Sequence, residues 1–158
     1  MKEGVLFGNK HSYRDWGLHL ASRPVISPPV PKMNLIDIPG SDEQIDLTEV
    51  VSGEVNYESR EMTFEFEVIQ RKGEWPSKYS EIMNYLHGKK MRIILDEDMG
   101  WFWEGRVYVD EWDSNIADSI IVIKATVGPY KWSVTDSMED WLWGPFSFHD
   151  GVIRNYKD

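Results

Sequence analysis

The chain has 158 residues, of which 41% are hydrophobic and 13% aromatic, and its formal net charge is −10. The length suits one domain with a real core, the aromatic content excludes a disordered chain, and the absence of cysteine excludes a disulfide scaffold and Cys-ligated zinc. The excess of acidic over basic residues argues against ordinary nucleic-acid recognition. No apolar run approaches the ~20 residues that a membrane span needs. The N-terminal residues 1–16 are too polar for a signal peptide.

The first thirty residues predict short strands joined by turns. Gly4 to Phe7 is a short apolar run and predicts a first strand, and the polar residues 9–15 predict a turn. Alternation between Trp16 and Ser22 predicts a half-buried strand. The proline-rich residues 23–31 exclude a helix or a central strand, so they predict an extended connector.

Residues 31–49 carry two apolar–polar–apolar triplets separated by a proline–glycine pair. Proline presets φ and glycine accepts a positive φ, so this pattern predicts a β-hairpin or a long returning loop. The ordinary expectation is that the hairpin packs on its own domain, and the alternative is an arm that packs on a neighbouring subunit. The candidate interface residues in this segment are Ile36, Asp37, Ile38, Pro39, Gly40, Ile45, Asp46 and Leu47.

The only helix that the sequence predicts covers about residues 78–87. Tyr79, Ile82, Met83 and Leu86 form one apolar stripe at helical spacing, with Ser77 as the expected N-cap. Glycine follows at position 88, where a left-handed residue commonly ends a helix.

Alternation of period two predicts the remaining strands, at residues 54–70, 90–95, 101–112 and 116–127. The last three follow one another through short turns, which predicts antiparallel pairing. The predicted fold is mainly β, a mostly antiparallel β-sandwich or split barrel with one packed helix. Alternation also favours core positions for Trp101 and Trp103, and leaves Trp112 undecided.

The C-terminal part is dense in aromatic residues that glycine and proline interrupt. We therefore expect a β core domain at residues 1–132 and an aromatic extension at 133–158. Trp141, Trp143 and Phe146 are the candidate contact residues of this extension. If exposed, they form a patch that needs a partner, and if folded back they cap the sandwich.

The sequence predicts no catalytic, cofactor-binding or metal-binding residue. The four histidines lack metal-ligand spacing, and no phosphate-binding or nucleophile motif is present. The acidic run Asp96-Glu97-Asp98 lacks the ligand array of a calcium loop. With 27 acidic residues, carboxylates on strands will face one another by chance. We therefore predict that the protein is not an enzyme and requires no cofactor.

The pattern P-K-x-N-x-x-D-I-P-G-x-D-x-x-x-D-L-T-E at residues 31–49 resembles the N-terminal region of siphophage distal tail proteins. Residues 7–9 and 12–18 fit the opening of that family, and 57–66 and 128–132 fit its later landmarks, so the resemblance covers roughly residues 4–132. In this family a second domain commonly follows, and the chain stops too soon for one. We therefore expect a short family member or a fragment.

The resemblance implies a structural protein of a phage or prophage tail tip, assembled in the host cytoplasm. Members of the family form a hexameric ring that joins the tail tube to the tail fibre or the tail-associated lysin. DNA would only pass through the bore, and acidic residues lining it would repel DNA. The alternative function is a monomeric carbohydrate-binding β-sandwich that uses exposed tryptophans, and the exposure of Trp141 and Trp143 would discriminate between the two.

Overall fold

A computed structural model describes residues 4–68, 73–114, 119–135, 146–147 and 152–153. Across these residues the fold is mainly antiparallel β, with a curled half-barrel sheet, small two-stranded sheets and two helices, of which one is substantial. The mainly β fold class with one packed helix is therefore confirmed.

In chain order the elements are β1 (Val5–Phe7), β2 (Lys10–His11), α1 (Ser12–Trp16), β3 (Leu18–Leu20), β4 (Val25–Ile26), β5 (Leu35–Asp37), β6 (Gln44–Asp46), β7 (Arg60–Val68), α2 (Trp75–Leu86), β8 (Lys89–Leu95), β9 (Trp101–Ser114), β10 (Ser119–Val127), β11 (Trp132–Ser133), β12 (Phe146–Ser147) and β13 (Val152–Ile153). A 3₁₀ turn at Asp96–Asp98 follows β8.

The large sheet has the strand order β2-β1-β8-β9-β10-β7-β3, with β11 also paired to β9 and β4 also paired to β7. Every described pairing in it is antiparallel, as expected for strands joined by short turns. The register between β9 and β10 shifts once, so that Asp110 is an extra residue in β9. The β5–β6 and β12–β13 pairs form separate two-stranded sheets.

The core lies between the inner face of the large sheet and α2. Alternate residues of β7, β9 and β10 enter it, and the helix contributes Ile82 and Leu86, both fully buried. The period of two along the strands and the 3.6-residue period along the helix therefore meet on one apolar surface. The central strand residues are Met62, Phe64, Phe66, Val107, Ile121, Ile123 and Ala125.

Residues 9–15 do not form the simple polar turn that the sequence predicts. The buried His11 side chain accepts hydrogen bonds from the backbone N–H groups of Tyr13 and Arg14, and so begins the short helix α1. Gly17, with φ 67°, ends α1 in the left-handed conformation. Trp16 is therefore the last residue of a helix, and the predicted strand shortens to Leu18–Leu20.

Helix α2 is confirmed, but it begins at Trp75, three residues before the predicted start near 78. Pro76 lies at the first turn, where the missing N–H costs nothing. Ser77 is not the N-cap, because its hydroxyl instead donates to the Glu74 carbonyl at 3.0 Å. Gly88 follows the helix with φ 76°, as predicted.

Two tryptophans at the start of β9 have different environments. Trp103 is buried, as predicted, but Trp101 is 41% exposed and its predicted core position is wrong. The pairing of β8 with β9 ends at Ile93 and Trp103, so no β8 residue is paired with Trp101. Its ring instead lies 5.0 Å from the Lys131 ammonium group.

Candidate subunit-contact surface

Residues 31–57 form a protrusion, hereafter the arm, whose two ends are joined at its base. Pro31 and Tyr57 form an isolated antiparallel bridge. The Lys32 N–H donates to the Asn56 carbonyl at 2.8 Å, and this bond adds a second rung beside the bridge. The backbone therefore leaves the connector after β4 and returns to the same place before β7.

The far part of the arm is the β5–β6 hairpin. Ile36 pairs with Ile45, and Asp37 pairs with Gln44. The turn between the strands contains Gly40 at φ 81°, a conformation that favours glycine. The predicted β-hairpin with a proline–glycine turn is therefore confirmed.

The two faces of this ribbon differ in chemistry. Ile36 and Ile45 lie directly opposite each other on one face. Asp37 and Asp46 lie on the other face, because side chains alternate along a strand. Asp37 accepts a hydrogen bond from the Gln44 amide there, which joins the two strands through their side chains.

Asp46 is held as a carboxylate by local hydrogen bonds. The Thr48 hydroxyl donates to it, and so does the Thr48 backbone N–H at 2.9 Å. These bonds lower the pKa of Asp46 below its ordinary value, and the bond from the hydroxyl has the larger effect. The Thr48 hydroxyl oxygen also accepts from the Asn34 N–H at 3.1 Å, so Thr48 links the two sides of the arm.

Both strands of the hairpin are exposed along their whole length. Ile36 and Ile45 are each 48% exposed, so the ordinary expectation that this hairpin packs on its own domain is wrong. An isolated two-stranded hairpin is marginally stable in water, and an exposed apolar patch marks an interaction surface. The exposed large apolar residues in or beside the arm are Val30, Met33, Leu35, Ile36, Ile38, Ile45, Val50 and Val51.

The structure brings together the predicted interface residues of residues 36–47 on one hairpin. Leu47 is partly buried, and its N–H donates to the Asn34 carbonyl at 2.8 Å. Trp141 and Trp143 lie outside the described residues. Phe146 begins β12 and is paired with Ile153 of β13.

A second exposed surface, which the sequence analysis missed, lies on the outer face of β8 and β9. Lys90 and Arg92 of β8 and Arg106 of β9 point away from the core. On the same face the Arg92 guanidinium lies 4.6 Å from the Phe102 ring, and Phe102 is paired with Trp132 of β11. The sequence does contain a signal for this surface, because the polar residues of β8 and β9 alternate with the apolar residues that predict the core.

A third exposed feature is a cleft of about 540 Å³ beside the start of β9. Trp103, Tyr130 and Lys131 line it, together with the carboxylates of Glu97 and Asp98. Lys131 donates to Asp98 at 2.7 Å, so one cation of this cleft is already paired. The cleft therefore combines an exposed aromatic wall with hydrogen-bonding groups.

Within the part of the chain that the structure describes, no three side chains of histidine, aspartate or glutamate are grouped so that they could hold a metal ion. Among the same residues, neither helix has the length and apolar character needed to span a membrane.

These features define a β domain with a protruding, partly apolar hairpin. No protein-family model matches the chain, and no curated protein matches it in sequence. Its fold is similar to that of the Dit (gp 19.1) protein of phage SPP1, with a TM-score of 0.63 and 12% sequence identity. That protein is described as a paradigm of the hub adsorption apparatus in phages that infect Gram-positive bacteria.

The match covers 83% of this chain and 52% of the SPP1 protein, so the chain spans about half the length of the protein it matches. The matched part is the N-terminal half. The expected resemblance to distal tail proteins is therefore confirmed at the level of the fold.

Proposed function

We propose that this protein is a structural component of a phage or prophage tail tip. Copies of the chain form a ring, hexameric as in the family that it resembles, and the ring joins the tail tube to the tail fibre or the tail-associated lysin. The fold shared with the N-terminal half of a phage hub protein supports the class of protein. The exposed arm supports assembly, because it offers a surface that an isolated chain leaves uncovered.

The observation that carries the proposal is the apolar face of the arm. Ile36 and Ile45 are opposite each other and half exposed, with Ile38 beside them. Burying an isoleucine side chain contributes about 1.5–3 kcal/mol, so this face favours a second protein surface over water. When the arm of one copy contacts a different surface of the next, the contact is heterologous, and such contacts form a ring when the rotation between neighbours closes.

In this proposal the protein belongs to the virion, assembles in the host cytoplasm, and has no enzymatic activity. DNA only passes through the bore, and acidic residues facing the bore would repel it. The division into a core at 1–132 and an extension at 133–158 belongs to the same proposal. Trp141, Trp143 and Phe146 are then a second contact segment.

The test is light scattering on the size-exclusion peak over a range of protein concentrations. We expect a sixfold mass, or a smaller species that rises towards it as the concentration increases. The variant Ile36→Ser/Ile45→Ser should lower the assembled mass, because it removes the apolar face and leaves the hairpin backbone intact. Val25→Ser is the matched control, since Val25 is 64% exposed but lies on β4, outside the arm.

Two outcomes would contradict the proposal. One is the mass of a single chain at every concentration. The other is an equal loss of assembly in the arm variant and in the Val25 control, which would separate assembly from the arm.

Binding of a carbohydrate is the second candidate function, and the cleft beside β9 is the observation that favours it. Tyr130 is 56% exposed in this cleft, and Trp103 lines it from β9. Aromatic faces of this kind stack on sugar rings, and the carboxylates of Glu97 and Asp98 accept hydrogen bonds from hydroxyls. Tryptophan fluorescence during titration with oligosaccharides is the test, with Tyr130→Ala expected to abolish any change. An unchanged spectrum would remove this candidate.

A further inference from the structure

We propose that the arm of one copy docks on the outer face of β8 and β9 of the next copy. The acceptor surface, hereafter the basic patch, consists of Lys90, Arg92 and Arg106 with the exposed ring of Trp132, and the buried Phe102 ring lies beneath Arg92. This inference rests on the proposed ring and adds the surface that receives the arm.

The basic patch carries more cations than carboxylates, since Glu104, which is paired with Arg92 across β8 and β9, is its one described carboxylate. Lys90 and Arg106 are directly opposite each other across β8 and β9, and like charges in that arrangement destabilise a sheet. The nearest described counter-charge is Glu104, 3.6 Å from the Lys90 ammonium group, and both side chains of that pair are about half exposed. An exposed pair of this kind contributes little.

The two arginines of the patch have no carboxylate within salt-bridge distance in the described part of the chain. Arg106 donates to the Gly88 carbonyl at 2.6 Å, and Arg92 lies over the Phe102 ring. Three cations and a single carboxylate, Glu104, therefore share this face of a protein whose net charge is −10. An acidic partner would relieve their mutual repulsion.

The arm supplies that charge. Its residues 31–57 include six acidic side chains and one basic side chain, Lys32. Asp42 and Glu43 lie at its exposed tip. The acidic residues are Asp37, Asp42, Glu43, Asp46, Glu49 and Glu54.

The two surfaces also match in their apolar parts. The arm carries Ile36 and Ile45 on one face, and the patch carries Trp132, which is 59% exposed beside Phe102. Asp37 and Asp46 lie on the opposite face of the ribbon from Ile36 and Ile45, so the charged part of this contact comes from Asp42 and Glu43 at the tip, beside an apolar centre.

The positions of the two surfaces in the fold favour contact between copies. The arm leaves the chain between β4 and β7, and β4 pairs with β7. The patch lies on β8 and β9, and β10 separates β9 from β7 in the sheet. Donor and acceptor are therefore different regions of one chain, which is the requirement for a heterologous contact.

The test is a charge swap, followed by light scattering and by the concentration at which assembly is half complete. Arg92→Glu/Arg106→Glu should raise that concentration about tenfold or more, because it sets like charges against the arm. Adding Asp42→Lys/Glu43→Lys to the same chain should restore assembly, since the signs are then exchanged. Arg14→Glu/Arg23→Glu is the matched control, because both residues are exposed and the net charge changes equally.

A second measurement uses the absence of cysteine from the chain. Ile38→Cys with Arg92→Cys should give a ladder of multimers under oxidation, and Ile38→Cys with Glu67→Cys on the exposed outer face of β7 should not. A ladder from the Glu67 pair alone, or a patch reversal that leaves assembly unchanged, would overturn the docking and leave the ring standing. A wild-type chain that stays single at every concentration would overturn both.

Discussion

The imidazole Nε2 of His11 lies 2.9 Å from a carboxylate oxygen of Asp96, across 85 residues of sequence. The other ring nitrogen accepts from the N–H groups of Tyr13 and Arg14, so Nε2 carries the proton and donates it to Asp96. The same carboxylate accepts from the Gly4 N–H at 2.9 Å. One nearly buried side chain therefore joins the N-terminal strands and α1 to the end of β8.

We predict that His11→Ala lowers the free energy of unfolding by about 2–3 kcal/mol, because it removes a helix cap and a buried hydrogen bond. Asp96→Ala should cost a similar amount, and the double variant should cost less than the sum, since both changes remove one shared interaction. Urea unfolding of the four proteins measures this. Additive losses would show that the two residues act independently.

Gly105 allows β9 and β10 to approach closely, and we predict that Gly105→Ala is strongly destabilising. A Cβ at this position would lie 2.1 Å from the Thr126 carbonyl oxygen and 2.6 Å from the Val127 Cα, which are backbone atoms that cannot turn aside. We expect a loss of about 1–3 kcal/mol or more. Gly100→Ala is the matched control, because nothing lies within 4 Å of its Cβ position, and it should change thermal stability little.

Trp101 and Trp112 lie on the same strand, but truncation should destabilise the protein far more at Trp112 than at Trp101. The Trp112 ring stacks on Trp75 at 3.9 Å and contacts Tyr79 at 3.7 Å, so it holds the start of α2 on the sheet. Trp112→Ala should cost about 3 kcal/mol, whereas Trp101→Ala at an exposed site should cost less than about 1 kcal/mol. Denaturant midpoints measure both, and similar losses would contradict the assignment.

Periodicity was sufficient to predict the central strands, α2 and the hairpin, because each of these elements has a regular apolar pattern. It failed at residues 9–15, since a histidine cap and a glycine end define α1 without any apolar repeat. It also failed at Trp101, because burial at a strand end depends on where the neighbouring strand stops. The first failure concerns capping bonds within a few residues, and the second concerns contact between strands.

The candidate site, like the fold, could be predicted from the sequence only in part. The turn at Pro39 and Gly40 could be predicted from local residue preferences, and the exposure of the hairpin could not. Whether an apolar ribbon rests on its own sheet depends on the path of the chain beyond it. The basic patch was missed because Lys90, Arg92 and Arg106 meet only once β8 and β9 pair.

The final prediction concerns the acid sensitivity of the arm. Hydrogen bonds from Thr48 lower the pKa of Asp46, so their contribution to the arm is fully present above the ordinary aspartate value of about 3.9. It is lost as the pH falls through the lowered pKa of the folded state. We expect the Asp46 carboxyl to titrate below the ordinary value, as followed by NMR.

Thr48→Val should raise the pKa of Asp46 towards the ordinary value, because it removes the hydroxyl donor and leaves the backbone N–H. It should also speed hydrogen exchange at the Asn34 amide, whose acceptor is that hydroxyl oxygen. Thr63→Val on β7 is the control and should change neither quantity. An Asp46 titration that Thr48→Val leaves unchanged would show that the backbone bond alone holds the carboxylate. Unchanged exchange at the Asn34 amide would show that backbone pairing, and not the Thr48 hydroxyl, joins the two sides of the arm.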